Sequence, residues 1–380
     1  MLRFVPIFVT TLFISLHFGA LLYINSSFLG RFYEPGAVSL LFILAAIGNI
    51  ILFLLTPRFL NWFGKHLLFF IFLLFTSLGV FGLALAATAT VAAVSFLIYA
   101  SVLFMNYYCL DIFLEELSTD SKTGEIRGIY FTLVNVGIAL GPLLVALLAV
   151  GDTLNLVYWA AALLLIPPIL FAVFSFKLKR GLMLHKERVV LPFRKWWRSR
   201  DIRRVTLAKV VLETFFASMV IYTPIYLHGS LGFSWPELGV IFTVALLPFI
   251  LFEWPVGELA DRFLGEKEIM SLGLFITGTS LLVMPFLGKV FFVWMAILFL
   301  SRVGASFIEI TTESYFFKQI DASDTGLLSI FRLARPVSIV FGAALGALSI
   351  NLFSFEKIFF VLAVVVFFGL HESLYLKDTR

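Results

Sequence analysis

Twelve runs of predominantly apolar residues, each long enough to cross a bilayer as a helix, dominate this sequence. They cover residues 4–28, 36–56, 66–87, 90–115, 128–150, 154–176, 205–228, 236–256, 268–288, 290–314, 326–350 and 356–375. At 1.5 Å of rise per residue, about 20 residues cross the roughly 30 Å of hydrocarbon. Lipid offers no partner to backbone N–H and C=O groups, so each run must satisfy its own as an α-helix. Of the 380 residues, 61% are hydrophobic and only 13% charged, which is membrane composition, not that of several soluble domains. The connections at Ala87–Ala89 and Gly151–Thr153 force antiparallel hairpins. The first run follows a single Arg3 and lacks a small-x-small cleavage site, so a retained first helix is expected.

Basic residues orient the helices. With the N-terminus inside, the cytoplasmic termini and loops carry 21 of the 28 Lys and Arg, and the outer loops only Arg31, Lys289 and Lys357. The expected location is therefore the plasma (inner) membrane, with both termini cytoplasmic. The longest polar segment, 177–204, holds eleven basic residues against two acidic ones, interleaved with Phe193, Trp196 and Trp197. In a soluble chain this would suggest nucleic acid; after a membrane span it suggests an amphipathic helix on anionic lipid headgroups. It divides the chain into 1–176 and 205–380, six spans each.

The two halves carry similar marks. Thr123-Gly124 and Thr325-Gly326 precede the fifth and eleventh runs, Asp111 and Glu313 stand at the same offset, and Gly137/Gly141 is matched by Gly342/Gly346. Between the eighth and ninth runs lies Gly257-Glu258-Leu259-Ala260-Asp261-Arg262-Phe263-Leu264-Gly265-Glu266-Lys267. Glycines there allow a sharp turn, Asp261 can cap a helix N-terminus, and Arg262 can fork onto carboxylates at another helix end. The stretch resembles the cytoplasmic loop signature of the major facilitator superfamily. The segment from Glu115-Glu116 to Arg127-Gly128 also resembles that family's acidic helix end and Arg-Gly helix start.

The resemblance implies an all-α integral membrane protein, with twelve transmembrane helices in two pseudo-symmetric six-helix bundles. It implies a cytoplasmic gate of Gly257, Asp261, Arg262, Lys267, Glu116 and Arg127, with Asp261 and Arg262 meeting the Glu116–Arg127 region. The first-half counterpart, Pro57 to Lys65, has Asn61 and Trp62 where Asp and Arg would be, so a lopsided latch is expected. The family also places the first, fourth, seventh and tenth helices along a central path.

Ionisable residues inside spans cost about 2.5–3.5 kcal/mol each on insertion scales, so each invites a functional reading. Arg302, Ser306, Glu309 and Glu313 share one face of the tenth helix. They form either a substrate and proton path, with Glu309 exchanging partners with Arg302, or a structural ion pair. Lys209 and Glu213 are spaced i,i+4, as a local pair or a proton site. Arg332 and Arg335-Pro336 either hold a gate against Glu313 or bind an anionic group. Asn106 and Tyr107 can orient a polar ligand or bond between helices. His17 and Asn25, read as one stripe of the first helix, offer a proton relay or ordinary packing. Ser301 to Ser306 resembles the Arg-x-x-x-Gly patch of drug/proton exchangers, and Gly137-x3-Gly141-Pro142 the helix-five signature of proton-linked exporters.

The expected function is secondary active transport of a small organic solute by alternating access, proton-coupled and leaning to efflux, by a monomer in contact with membrane lipid. Rival readings are import of an anionic metabolite through Arg302 and Arg332, and a transporter-like sensor or scaffold. A lone Cys109, no metal-spaced Cys/His cluster and no phosphate-cradling loop imply no cofactor, no metal, no ATP-driven pump and no enzyme.

Overall fold

A computed structural model describes residues 4–117, 123–151, 153–174, 193–320 and 325–377. The side chains of 115–117, 123–125, 254, 261 and 325 also lie outside the description, and with them the gate candidates Glu116 and Asp261. Among the described residues the chain is almost entirely helical, and eleven helices are long and apolar enough to span a membrane. One of these, Pro35–Ala84, has 50 residues and would extend about 75 Å if straight, more than two bilayer crossings. It turns at Gly64, where φ is 73° and ψ 159°, so residues 35–63 and 65–84 are separate spans and the total is twelve.

In chain order the spans are α1 (Val5–Leu22), α2 (35–63), α3 (65–84), α4 (Ala89–Leu117), α5 (Thr123–Leu148), α6 (Asn155–Phe174), α7 (Arg200–Ile225), α8 (Trp235–Leu259), α9 (Glu266–Val283), α10 (Phe291–Gln319), α11 (Thr325–Arg332 and Ala334–Leu352) and α12 (Lys357–Leu374). Several boundaries differ from the sequence reading. The first run stops at Leu22 and a short second helix begins at Asn25, so Asn25 does not share a helix with His17. Helix α7 begins at Arg200, five residues earlier than expected, and takes Arg200, Arg203 and Arg204 out of the linker. Helix α11 breaks at Leu333, because the ring of Pro336 crowds the carbonyl four residues back, at Arg332.

Large apolar side chains cover the outside of the helices. Leu78 is 62% exposed, Leu147 77% and Val364 70%, a surface suited to hydrocarbon and not to water.

The chain divides into two compact units: Met1–Arg188 with Ser234–Thr243, and Val189–Phe233 with Val244–Arg380. Ser234–Thr243, from the beginning of α8, belongs with the first unit. There Gly239 lies against Pro142 and Ala146, and Phe242 stacks on Tyr23 with centroids 4.0 Å apart. In the first unit α5 packs on α1, with Gly137 against Ser15 and Leu16 and Gly141 against the backbone of Gly19 and Ala20. In the second unit α11 packs on α7 in the same manner, Gly342 against Ser218 and Gly346 against the Tyr222 ring.

The turns before α3 and α9 also correspond. Gly265 has φ 87° and ψ 155°, nearly the conformation of Gly64, in a region that a residue with a Cβ rarely enters. Gly265→Ala is expected to lower stability by about 1–3 kcal/mol. Gly36→Ala, with φ negative and open space around it, should change it little. Thermal unfolding of the two variants in detergent checks the difference.

Candidate functional site

Three helices of the second unit bring six charged side chains together. Lys209 and Glu213 are one turn apart on α7, Glu309 and Glu313 one turn apart on α10, and Arg332 and Arg335 flank the break in α11. The Lys209 ammonium is the hub: its Nζ lies 3.2 Å from Glu313 Oε1, 3.5 Å from Glu213 Oε1 and 4.0 Å from Glu309 Oε1. Arg332 Nη1 donates to Glu313 Oε1 at 3.0 Å, and Arg335 Nε donates to Glu213 Oε2 at 3.1 Å. Three cations therefore face three carboxylates. Lys209 and Glu213 are buried, while Arg332 and Arg335 reach outward.

The α7–α11 seam above the cluster is closed by hydrogen bonds that leave little slack. Ser338 Oγ donates to the Val210 carbonyl at 2.9 Å, and Tyr222 Oη donates to the Ala343 carbonyl at 2.7 Å. Glu213 and Glu313 each meet two cations, whereas Glu309 approaches Lys209 at the longest distance of the set.

The expected exchange between Glu309 and Arg302 is not what the geometry favours. Seven residues separate them, about 10 Å along α10, and Lys209 stands beside Glu309 instead. Arg302 is 2% exposed, with its guanidinium carbon 4.6 Å from the centroid of the Phe215 ring and 5.9 Å from that of Phe216. Stacking on aromatic faces suits a planar, weakly hydrated cation. Ser306, one turn on, is buried and bonds its own helix at the Val303 carbonyl.

The signature turn also differs from expectation. Asp261 and Arg262 lie in a π-helical turn, Ala260–Leu264, that continues α8. Arg262 is exposed and pairs with Glu258 on its own helix at 3.0 Å, because one turn of helix already supplies a carboxylate within reach. Among the described residues, a Cβ added at Gly257 would meet only the Ile310 side chain, at an ordinary contact distance, and Lys267 is partly exposed. The buried carboxylate here is Glu266, at the first position of α9, paired with Lys318 and accepting from Ser314 Oγ at 2.9 Å. The sequence reading gave Glu266 no role. Its signal was an acid at a helix start just after a turn glycine.

In the first unit His17, Asn25 and Asn106 are buried and Tyr107 half-buried, each with a hydrogen bond of its own. His17 Nδ1 lies 2.8 Å from the Ala161 carbonyl, which can only accept, so this nitrogen carries the proton. Its ring meets Tyr99 edge-on. Asn25 Oδ1 accepts from Tyr158 Oη at 2.9 Å, Asn106 Nδ2 donates to Thr76 Oγ1 at 2.8 Å, and Tyr107 Oη donates to Ser15 Oγ at 3.1 Å. Arg127 is exposed on α5. These bonds join α1 to α4 and α6 and α3 to α4, and they do not assemble a charged cluster like the one around Lys209.

Residues 214–380 match the sequence profile of the family described as Major Facilitator Superfamily. An uncharacterised MFS-type transporter of Enterobacter sp. (strain 638) is 24% identical over 234 residues, 60% of this chain and 58% of that protein. The uncharacterised MFS-type transporter YcaD of Escherichia fergusonii is 26% identical over 159 residues, 42% of this chain and 40% of its own length. Each match thus spans less than two thirds of the relative. In fold, the chain is similar to a crystal structure of a mutant nucleoside transporter NupG, with a TM-score of 0.79 and 12% identity, covering 99% of this chain and 100% of that one. It is likewise similar to the peptide transporter POT in complex with sulfate, with a TM-score of 0.74 and 15% identity over 98% and 93% of the two chains.

The family match thus covers the second part of the chain, and the likeness in fold nearly all of it. The family profile begins at Thr214, one residue after Glu213, and so includes Glu309, Glu313, Arg332 and Arg335 but not Lys209.

Proposed function

We propose that this chain is a member of the major facilitator superfamily and a secondary active transporter for a small organic solute, working by alternating access. Its two six-helix units would rock about a shared path, and the Lys209 cluster would break and re-form on α7, α10 and α11 in each cycle. The observation that carries this reading is the meeting of Lys209 with three carboxylates at 3.2–4.0 Å inside membrane-spanning helices. Charges are costly there, and a set that can repartner offers two arrangements of similar energy. We assign proton coupling to Glu309, the most loosely paired of the three, and efflux as the direction. Arg302 contributes a buried cation beside Phe215 and Phe216, where an organic solute with apolar and polar parts would be recognised. The family names of the relatives and the fold shared with two solved transporters support transport as the activity.

Reconstitution in liposomes with an imposed pH gradient and a panel of organic solutes tests the proposal. Wild type is expected to accelerate gradient-driven movement of at least one solute. Glu309→Gln is expected to retain solute exchange while losing at least tenfold of the acceleration by the gradient. Equal dependence on the gradient in wild type and variant would remove Glu309 from the coupling. No solute movement by wild type would favour a sensor or scaffold.

A further inference from the structure

The short helix Phe193–Arg198, which precedes α7, is amphipathic in an unusual way. At about 100° per residue, Phe193 and Trp197 share one face, Arg194 and Arg198 the next, and Trp196 lies opposite the two arginines. The structure fits this division. Trp196 is tied down, its Nε1 donating to Thr206 Oγ1 on α7 at 3.2 Å, while Phe193 is 57% and Trp197 65% exposed. Arg203 fixes the Trp197 side from below, with its guanidinium carbon 5.0 Å from the ring centroid and Nη1 donating to the Trp197 carbonyl at 2.8 Å. A shallow groove runs between Phe193, Arg194, Trp196, Trp197 and Arg198.

Charge around this groove is one-sided. From 193 to 204 there are six cations and one acid, Asp201. Arg204 is engaged by Glu372 at 3.4 Å and by the Tyr375 carbonyl at 2.6 Å. Arg194, Arg198 and Arg200 have no ion-pair or hydrogen-bond partner among the described residues. Arg200 is also the first residue of α7, where the helix dipole favours an anion and disfavours a cation. Two exposed aromatics at the head of a membrane span, with unpaired arginines beside them, suit one occupant. The rings enter the headgroup–acyl boundary and the guanidiniums fork onto phosphate.

We propose that Phe193–Arg203 is a binding site for an anionic phospholipid, whose phosphate is held by Arg194, Arg198 and Arg200 and whose acyl chain lies on Phe193 and Trp197. Through Trp196 and Thr206 the bound lipid is linked to the turn of α7 that carries Lys209, so membrane charge bears on the ion cluster. The binding site itself stands whether or not that cluster drives transport.

Quenching of Trp197 by lipids brominated on the acyl chain tests it, using the full chain in liposomes of phosphatidylcholine with a minor fraction of phosphatidylglycerol. The chain has seven tryptophans, so the Trp197 contribution is the difference from Trp197→Phe. Quenching by brominated phosphatidylglycerol is expected to exceed that by brominated phosphatidylcholine at equal mole fraction. The preference should fall by up to about fivefold for each arginine changed in Arg194→Gln, Arg198→Gln and Arg200→Gln. In unaltered protein it should weaken at high salt. Equal quenching by both lipids would reduce the site to apolar burial, and no quenching by either would place the rings away from lipid; both results overturn the proposal. Free phosphate carries no bromine and cannot mimic the signal.

Discussion

Lys209→Met is expected to abolish transport and to lower the stability of the second unit by about 3–5 kcal/mol, the usual consequence of removing one partner from a buried ion pair. Lys209 is 5% exposed, and its ammonium lies within 4.0 Å of three carboxylates. Without it Glu213 and Glu313 keep Arg335 and Arg332, but three acids share two cations. The double variant Lys209→Met/Glu313→Gln restores the balance to two of each sign. It should recover much of the lost melting temperature and none of the transport. Recovery of both would mean that the cluster only fastens α7, α10 and α11 together.

Gly141→Leu should be the most damaging single change in the first unit. A Cβ at this position would meet the backbone of Gly19 and Ala20, which cannot rotate away as a side chain could. In lipid the attraction between helices comes from close packing, so separating α1 from α5 removes what holds them. Overpacking alone costs about 1–3 kcal/mol, and a backbone clash lies at or beyond the upper end. Gly141→Ala should already reduce the yield of folded protein. Gly128→Ala, on the same helix with open space around it, should not. Fluorescence-detected gel filtration of the three proteins separates these outcomes. Equal yields for Gly141→Leu and wild type would show that the helices are held by other contacts.

Much of the architecture could be read from the sequence because lipid makes hydropathy nearly decisive. All twelve spans were marked by apolar length, and the repeated Gly137/Gly141 and Gly342/Gly346 spacing corresponds to equivalent contacts in the two units. What escaped the sequence were local backbone events. Leu21 to Ile24 is continuously apolar, so the end of α1 at Leu22 carries no mark of its own ahead of Asn25-Ser26-Ser27, and the early start of α7 is hidden among arginines that also read as linker. Helical periodicity put Lys209 with Glu213 and Glu309 with Glu313, each on one face. It could not say that the two faces meet, since that depends on how α7 packs against α10. For the same reason Arg302 and Glu309 looked like partners on one helix, while an aromatic face and a lysine from α7 lay closer to each. Glu266 was visible only as one letter in a turn motif. Its burial against Lys318 follows from the tertiary position of α9.

The central claim is that the α10 face bearing Arg302, Ser306, Glu309 and Glu313 lines an aqueous path during the cycle. Ser306 is buried in this structure, and Cys109 is the single native cysteine, so Cys109→Ala with Ser306→Cys gives one reporter on that face. The decisive measurement is its modification by a membrane-impermeant methanethiosulfonate reagent in vesicles, with and without a transported solute. The account predicts modification that the solute slows; a cysteine at this position that never reacts, in sealed or opened vesicles, would contradict it.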